Sequence, residues 1–127
     1  MATGKIERAV IGTIVSNSVV EESIEFNNNT QEICNISLPA GTWVINADIR
    51  FVGATVGQRL GATISNTNES GRFNSWAYTL ISVNSTQNHY INVSHIANIS
   101  ETTTYYLMGF SDGTRTVDGR IIAVRIK

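Results

Sequence analysis

The stretch that decides the fold is Ser37–Phe51, SLPAGTWVINADIRF, which contains the only proline of the chain, Pro39. Proline presets φ near about −65° in a turn, and Gly41 tolerates the positive φ that a tight turn needs. Apolar residues then occupy every second position: Trp43, Ile45, Ala47, Ile49 and Phe51. Such alternation is typical of a strand with one buried and one polar face. The stretch therefore predicts a turn followed by a central strand over the core, with Trp43, Ile45, Ile49 and Phe51 inside.

Strand signals recur along the rest of the chain, whereas we find no sustained helical spacing of apolar residues. The predicted strands cover residues 8–15, 19–27, 31–38, 42–52, 58–66, 75–83, 89–99, 103–111 and 119–127. The segments between them are rich in Gly, Asn, Ser and Thr, as in NNNT, NTNESG and SDGT. Consecutive strands without helical crossovers predict an all-β, mostly antiparallel sandwich or barrel of eight or nine strands, in a single domain.

Composition excludes several classes of function. The chain has 127 residues, a formal net charge of −1 and only 15% charged residues, so nucleic acid is not an expected partner. No apolar run approaches the ~20 residues of a membrane span, and the first residues resemble mature protein rather than a signal peptide. The single cysteine, Cys34, cannot form an intrachain disulfide. Its apolar neighbours favour a small buried hydrophobe over a catalytic thiol.

Catalytic and metal-binding groups are scattered, so we predict neither an enzyme nor a cofactor. Asp112 and Asp118 flank one loop, but each precedes glycine, which is typical of an ordinary turn. His89 and His95 share a strand face about 20 Å apart, too far for one metal ion. Three copies of one histidine could still meet on a three-fold axis as a metal or anion site. A glycan depolymerase, the enzymatic alternative, would need its carboxylates gathered in a cleft.

Three segments carry a family resemblance: ISLPAGTWVINADIRF, TTTYYLMGFSDG and the terminal GRIIAVRIK. Over roughly residues 31–127 they resemble the C-terminal head domains of bacteriophage tail-fibre and receptor-binding proteins, which are similar to the trimeric jelly rolls of the tumour-necrosis-factor and complement type. The resemblance implies a homotrimeric jelly-roll head on a virion appendage that adheres to a host-surface receptor, often a saccharide. Residues 1–30 form either the first strands or a connection to a stalk. The alternative is a structural trimerisation, capping or head-decoration module without a receptor.

Strands near the C-terminus carry apolar residues on both faces, which favours an oligomer. A sandwich buries one face of each sheet, so the second face needs cover from a loop or a neighbouring subunit. In the predicted strands 103–111 and 119–127, large apolar side chains occupy alternate positions on one face and also positions on the opposite face. We predict that the trimer interface includes Tyr105, Leu107, Ile121 and Ala123.

Two polar loops, 66–76 and 111–119, are candidate saccharide sites. A saccharide needs an aromatic plate for its C–H face and fixed polar groups for its hydroxyls. The candidate residues are Asn66, Asn68, Arg72, Phe73, Asn74, Trp76, Asp112, Arg115 and Asp118. The alternatives are simple solvation for the polar residues and core packing for Trp76.

Overall fold

The computed structural model describes residues 10–27, 29–54, 59–69, 75–80, 87–111 and 113–127, and the side chains of 54, 75–80 and 87 lie outside this description. The strands are β1 Ile14–Glu25, β2 Thr30–Leu38, β3 Gly41–Ala54, β4 Arg59–Ser65, β5 Ser75–Leu80, β6 Gln87–Ile99, β7 Thr103–Ser111 and β8 Thr114–Arg125. No helix in the described ranges is long and apolar enough to cross a membrane.

The strands form two four-stranded antiparallel sheets, in the orders β1-β8-β3-β6 and β2-β7-β4-β5. Strand pairs are nested: β1 with β8, β2 with β7, β3 with β6 and β4 with β5. A chain folded as one long hairpin and then wrapped into two packed sheets is a jelly roll. The predicted all-β antiparallel sandwich is therefore confirmed.

The turn before β3 is fixed by the tryptophan that follows it. Trp43 is fully buried, and its indole Nε1–H donates a hydrogen bond to the Pro39 carbonyl at 3.0 Å. Gly41 has φ of +148°, and a Cβ there would lie 2.5 Å from Nε of Arg125. The predicted inward face of β3 is confirmed, since Ile45 and its alternate neighbours along the strand are at most 1% exposed.

Two strand boundaries differ from the sequence prediction. Residues 14–15 of the first predicted strand and 19–25 of the second belong to one strand, β1, which continues through the polar residues 16–18, whereas residues 10–13 lie outside it. β1 is an edge strand with mostly exposed side chains, so it needs no continuous apolar face. The last strand begins at Thr114 rather than at 119, and Arg115 and Asp118 are consequently strand residues rather than loop residues.

The predicted trimer contacts require a correction. Leu107, Ile121 and Ala123 are fully buried within one chain, and Tyr105 is only 4% exposed. All four belong to the core between the two sheets. Their assignment to an intersubunit interface is wrong, because these side chains have no surface left for a neighbour. Met108, on the opposite face of β7 from Leu107, is also fully buried within the single chain.

Cys34 and His95 both pack against other parts of the chain. Cys34 is 4% exposed, and burial, together with the nearby Glu32 carboxylate, raises the pKa of its thiol to about 11. Its interpretation as a buried small hydrophobe is confirmed. The His95 ring packs against Tyr105 with centroids 5.9 Å apart, and burial lowers the pKa of His95. In the described part of the chain, no three His, Cys, Asp or Glu residues are grouped to hold a metal ion.

Candidate functional site

The outer face of the β1-β8-β3-β6 sheet contains an open groove of about 610 Å³. That volume falls within the roughly 300–1,000 Å³ of ordinary small-molecule sites. Each of the four strands contributes three consecutive residues to the lining: Ser18, Val19, Val20, Asp48, Ile49, Arg50, Tyr90, Ile91, Asn92, Asp118, Gly119 and Arg120. The groove therefore crosses the whole sheet from one edge strand to the other.

Four charged side chains form the groove floor. The register of β3 and β8 places Asp48 opposite Arg120 and Arg50 opposite Asp118. Nη2 of Arg120 lies 3.1 Å from Oδ2 of Asp48, and the Arg50 guanidinium forms an ion pair with Asp118. Opposite charges at directly paired positions of an antiparallel sheet attract each other. The floor, which we call the charge square, is strongly polar but carries no net charge.

The edge strand β6 fixes the charge square from one side. Asn92 donates through Nδ2 to Oδ1 of Asp48 at 2.6 Å and to the Ala47 carbonyl at 3.2 Å. The Arg50 guanidinium donates to the Tyr90 hydroxyl, and this bond, with the Asp118 ion pair, raises the pKa of Arg50. Tyr90 is nevertheless 74% exposed, so most of its ring faces solvent at the groove wall.

The other edge strand, β1, contains a bulge that is hydrogen-bonded to the charge square. The register of β1 against β8 shifts between Val19 and Glu22, and Glu21 has φ of +51°. The backbone N–H of Glu21 donates to Oδ1 of Asp118 at 2.7 Å. Val20, beside this contact, is 73% exposed. Asp118 therefore joins the bulge to the charge square, while an apolar side chain stands at the rim opposite Tyr90.

An apolar row crosses the same face toward one end of the sheet. Strand register aligns Ile14, Val124, Val44 and Ile96 across all four strands. Ile14 is 61% and Ile96 is 66% exposed, and the two valines are half-buried. Four residues along a strand separate this row from Asp48, which corresponds to about 13 Å. The polar charge square and the apolar row thus lie side by side on one face of the sheet.

The structure does not gather into one site those predicted saccharide residues whose side chains it describes. Among the described members of the set, Asp118 alone lines the groove. Arg115 donates through Nη1 to the Gly53 carbonyl at 3.1 Å, at a β3 bulge where Gly53 has φ of +68°. Asn66 and Asn68 are exposed after β4 of the other sheet, where Asn68 donates to Oε1 of Glu32 at 3.3 Å. The remaining predictions rest on residues or side chains outside the described part: Arg72, Phe73, Asn74, Trp76 and Asp112.

Sequence reasoning missed most of the groove, although one signal was present. The tripeptides Asp48–Arg50 and Asp118–Arg120 both read Asp-x-Arg. When two such tripeptides pair in antiparallel register, each aspartate faces an arginine. The signal becomes useful only once β3 is known to pair with β8, and β3 ends at Ala54 whereas β8 begins at Thr114.

Comparisons with known proteins identify the fold but no family. No protein-family model and no curated protein matches the chain. Among solved structures, a chain of the infectious bursal disease virus Gx strain aligns with a TM-score of 0.64 and 10% sequence identity. The alignment covers 90% of this chain but only 32% of the viral chain. At this identity the likeness shows the fold alone, and it agrees with the jelly-roll strand order.

Proposed function

We propose that this chain is the head module of a virion appendage, such as a bacteriophage tail fibre, and that it adheres to a saccharide on the host surface. The groove on the β1-β8-β3-β6 sheet is the observation that carries the proposal. The resemblance of the SLPAGTWVINADIRF segment to tail-fibre heads supports the setting. The jelly-roll likeness to a chain from a virus structure is consistent with a virion component.

The groove has the two ingredients of a sugar site. The Tyr90 ring offers an exposed aromatic surface for the C–H face of a pyranose. Asp48, Asn92 and Arg120 offer acceptors and donors that are held in place by one another. Because these groups are already positioned, a ligand does not have to order them on binding. We propose binding rather than catalysis, and the pairing of both floor carboxylates with arginines supports that role.

Substitution Tyr90→Ala is expected to weaken saccharide binding about tenfold, because it removes the aromatic plate and its contact area. The measurement is binding of the purified protein to an array of surface glycans, followed by titration of each positive glycan. Tyr106→Ala is the matched control, since Tyr106 lies on β7 in the other sheet. Equal loss in both variants, or no loss in Tyr90→Ala, would assign binding to another surface.

A structural oligomerisation module is the second candidate, and the apolar row favours it. Exposed Ile14 and Ile96 in register with two half-buried valines form an uncharged strip that a neighbouring copy can cover. A homotrimer would serve either function, because three weak saccharide sites on one particle bind with high avidity.

Substitution Ile96→Asp is expected to convert the oligomer to a monomer, because covering the row would then bury an unpaired charge. Light scattering after size-exclusion chromatography measures the mass against the 13.9 kDa of one chain. Ser37→Asp, at an exposed position of β2 in the other sheet, adds the same charge and should leave the mass unchanged. A wild-type monomer would count against both the structural module and the trimeric head.

A further inference from the structure

We infer that the groove selects an uncharged sugar with neighbouring hydroxyl groups and discriminates against sugars that carry a carboxylate or phosphate. The inference rests on the proposed function, because it names the ligand class of the same groove. It follows from the charges of the lining and from the positions of the free donors and acceptors.

Both cations of the charge square already have a carboxylate partner. The charged side chains that line the groove are two aspartates and two arginines, and each arginine is paired with an aspartate. An acidic sugar that approached either arginine would lie beside the aspartate carboxylate that this arginine already pairs with. Two further acidic residues, Glu21 and Glu22, are exposed on β1 directly after the rim residue Val20. Like charges at this range repel, so the surroundings disfavour an anion.

The polar groups that remain match a pair of neighbouring hydroxyls. Strand register places Ser18, Arg120, Asp48 and Asn92 in one row across the sheet. Asn92 uses its Nδ2 in two hydrogen bonds, so its Oδ1 is left as the acceptor for a ligand hydroxyl. Arg120 has a side chain 60% exposed and five N–H donors, more than the Asp48 contact requires. Adjacent acceptors and donors suit hydroxyls, because each hydroxyl both donates and accepts.

The aromatic wall gives the sugar an orientation. Tyr90 and Asn92 are two residues apart on β6 and therefore project from the same face of the sheet. A pyranose stacked on the Tyr90 ring would direct its ring hydroxyls toward the polar row. Val20, on the opposite edge strand, provides apolar contact at the far rim.

The test is an NMR titration of the ¹⁵N-labelled full chain with methyl glycosides of galactose, glucose, rhamnose and N-acetylglucosamine, and with N-acetylneuraminic and glucuronic acids. At least one neutral glycoside should shift the amide signals of Tyr90 and Asn92. The acidic sugars should bind about tenfold more weakly, the equivalent of one charged hydrogen bond. Binding of the neutral sugar should change little when salt is raised from about 0.05 to 0.5 M, because no net charge is paired.

Substitution Asp118→Asn tests whether the charge square is what weakens the binding of acidic sugars. Asparagine keeps an oxygen that can accept the Glu21 N–H, but it leaves the charge of Arg50 unpaired. We expect binding of the acidic sugars to strengthen about tenfold, while binding of the neutral sugar changes less than about threefold. Glu101→Gln makes the same change of net charge at an exposed position outside the groove lining and should alter neither. If Asp118→Asn perturbs the fold, Asp48→Asn frees Arg120 instead, and only the gain in binding of the acidic sugars is then compared, because Asp48 itself offers an acceptor to the neutral sugar.

The outcomes separate this inference from the proposed function. Preferential binding of an acidic sugar by the wild-type groove would overturn the neutral-sugar inference and leave adhesion intact. A neutral preference that both charge variants leave unchanged would also overturn it, because the charge square would not be the cause. Failure of every sugar to shift the groove amides would reject the saccharide site and the inference with it.

Discussion

Truncation of Trp43 to alanine is expected to lower the free energy of unfolding by about 3–5 kcal/mol, the usual cost of removing a large aromatic side chain from a core. Trp43 is fully buried and belongs to the core between the two sheets. Its indole N–H also satisfies the Pro39 carbonyl in the β2–β3 turn. A loss of this size is a large part of the roughly 5–15 kcal/mol that stabilises a typical domain.

Urea unfolding followed by circular dichroism measures the effect. Trp43→Phe should cost less, because it keeps an aromatic ring and loses mainly the hydrogen bond to Pro39, worth about 1 kcal/mol. Tyr90→Ala is the control, since this exposed aromatic of the same sheet should cost little stability while it reduces sugar binding. A loss below about 1 kcal/mol for Trp43→Ala would mean that the turn and core do not depend on the indole.

Substitution Gly119→Ala is expected to destabilise the protein by about 1–3 kcal/mol through overpacking. A Cβ on Gly119 would lie 2.5 Å from Cγ2 of Ile33 and 3.2 Å from Cδ2 of Leu107, both of which come from the opposite sheet. Cγ2 is attached directly to Cβ of Ile33, so it can move away only by a χ1 rotation of the whole buried side chain or by a shift of the strand. The glycine therefore sets the spacing of the two sheets beneath the candidate groove.

A double-mutant cycle with Ile33→Ala tests that explanation. Ile33→Ala alone should cost about 2–5 kcal/mol, but the double variant should be more stable than the sum of the two losses by about 0.5–3 kcal/mol. Gly109→Ala is the comparison, because there the Cβ would meet terminal Cδ1 atoms of Ile49 at 2.9 Å and Ile33 at 3.1 Å. These ends can rotate, so a smaller loss is expected. Simple additivity of Gly119→Ala and Ile33→Ala would contradict direct contact as the cause.

The alternation of apolar residues predicted where the strands lie better than it predicted what each strand face packs against. β3 reads as a half-buried strand from its own residues, and the core positions Ile45 and Ile49 follow from it. In β8 the sequence distinguished the face of Ile121 and Ala123 from the opposite face. It could not say which face points inward, because both carry apolar side chains. The buried face was therefore assigned to a subunit interface that the core already occupies.

The sequence by itself determined an all-β chain, the position of the Pro39 turn, the buried fate of Cys34 and the two faces of β3. These properties depend on φ preferences and side-chain period, which are local. Only the tertiary structure decided the groove, because the charge square exists only when Asp48 and Arg50 of β3 meet Arg120 and Asp118 of β8. Strand register is set by packing of the whole sandwich, and no local pattern encodes a contact between strands so far apart in the chain.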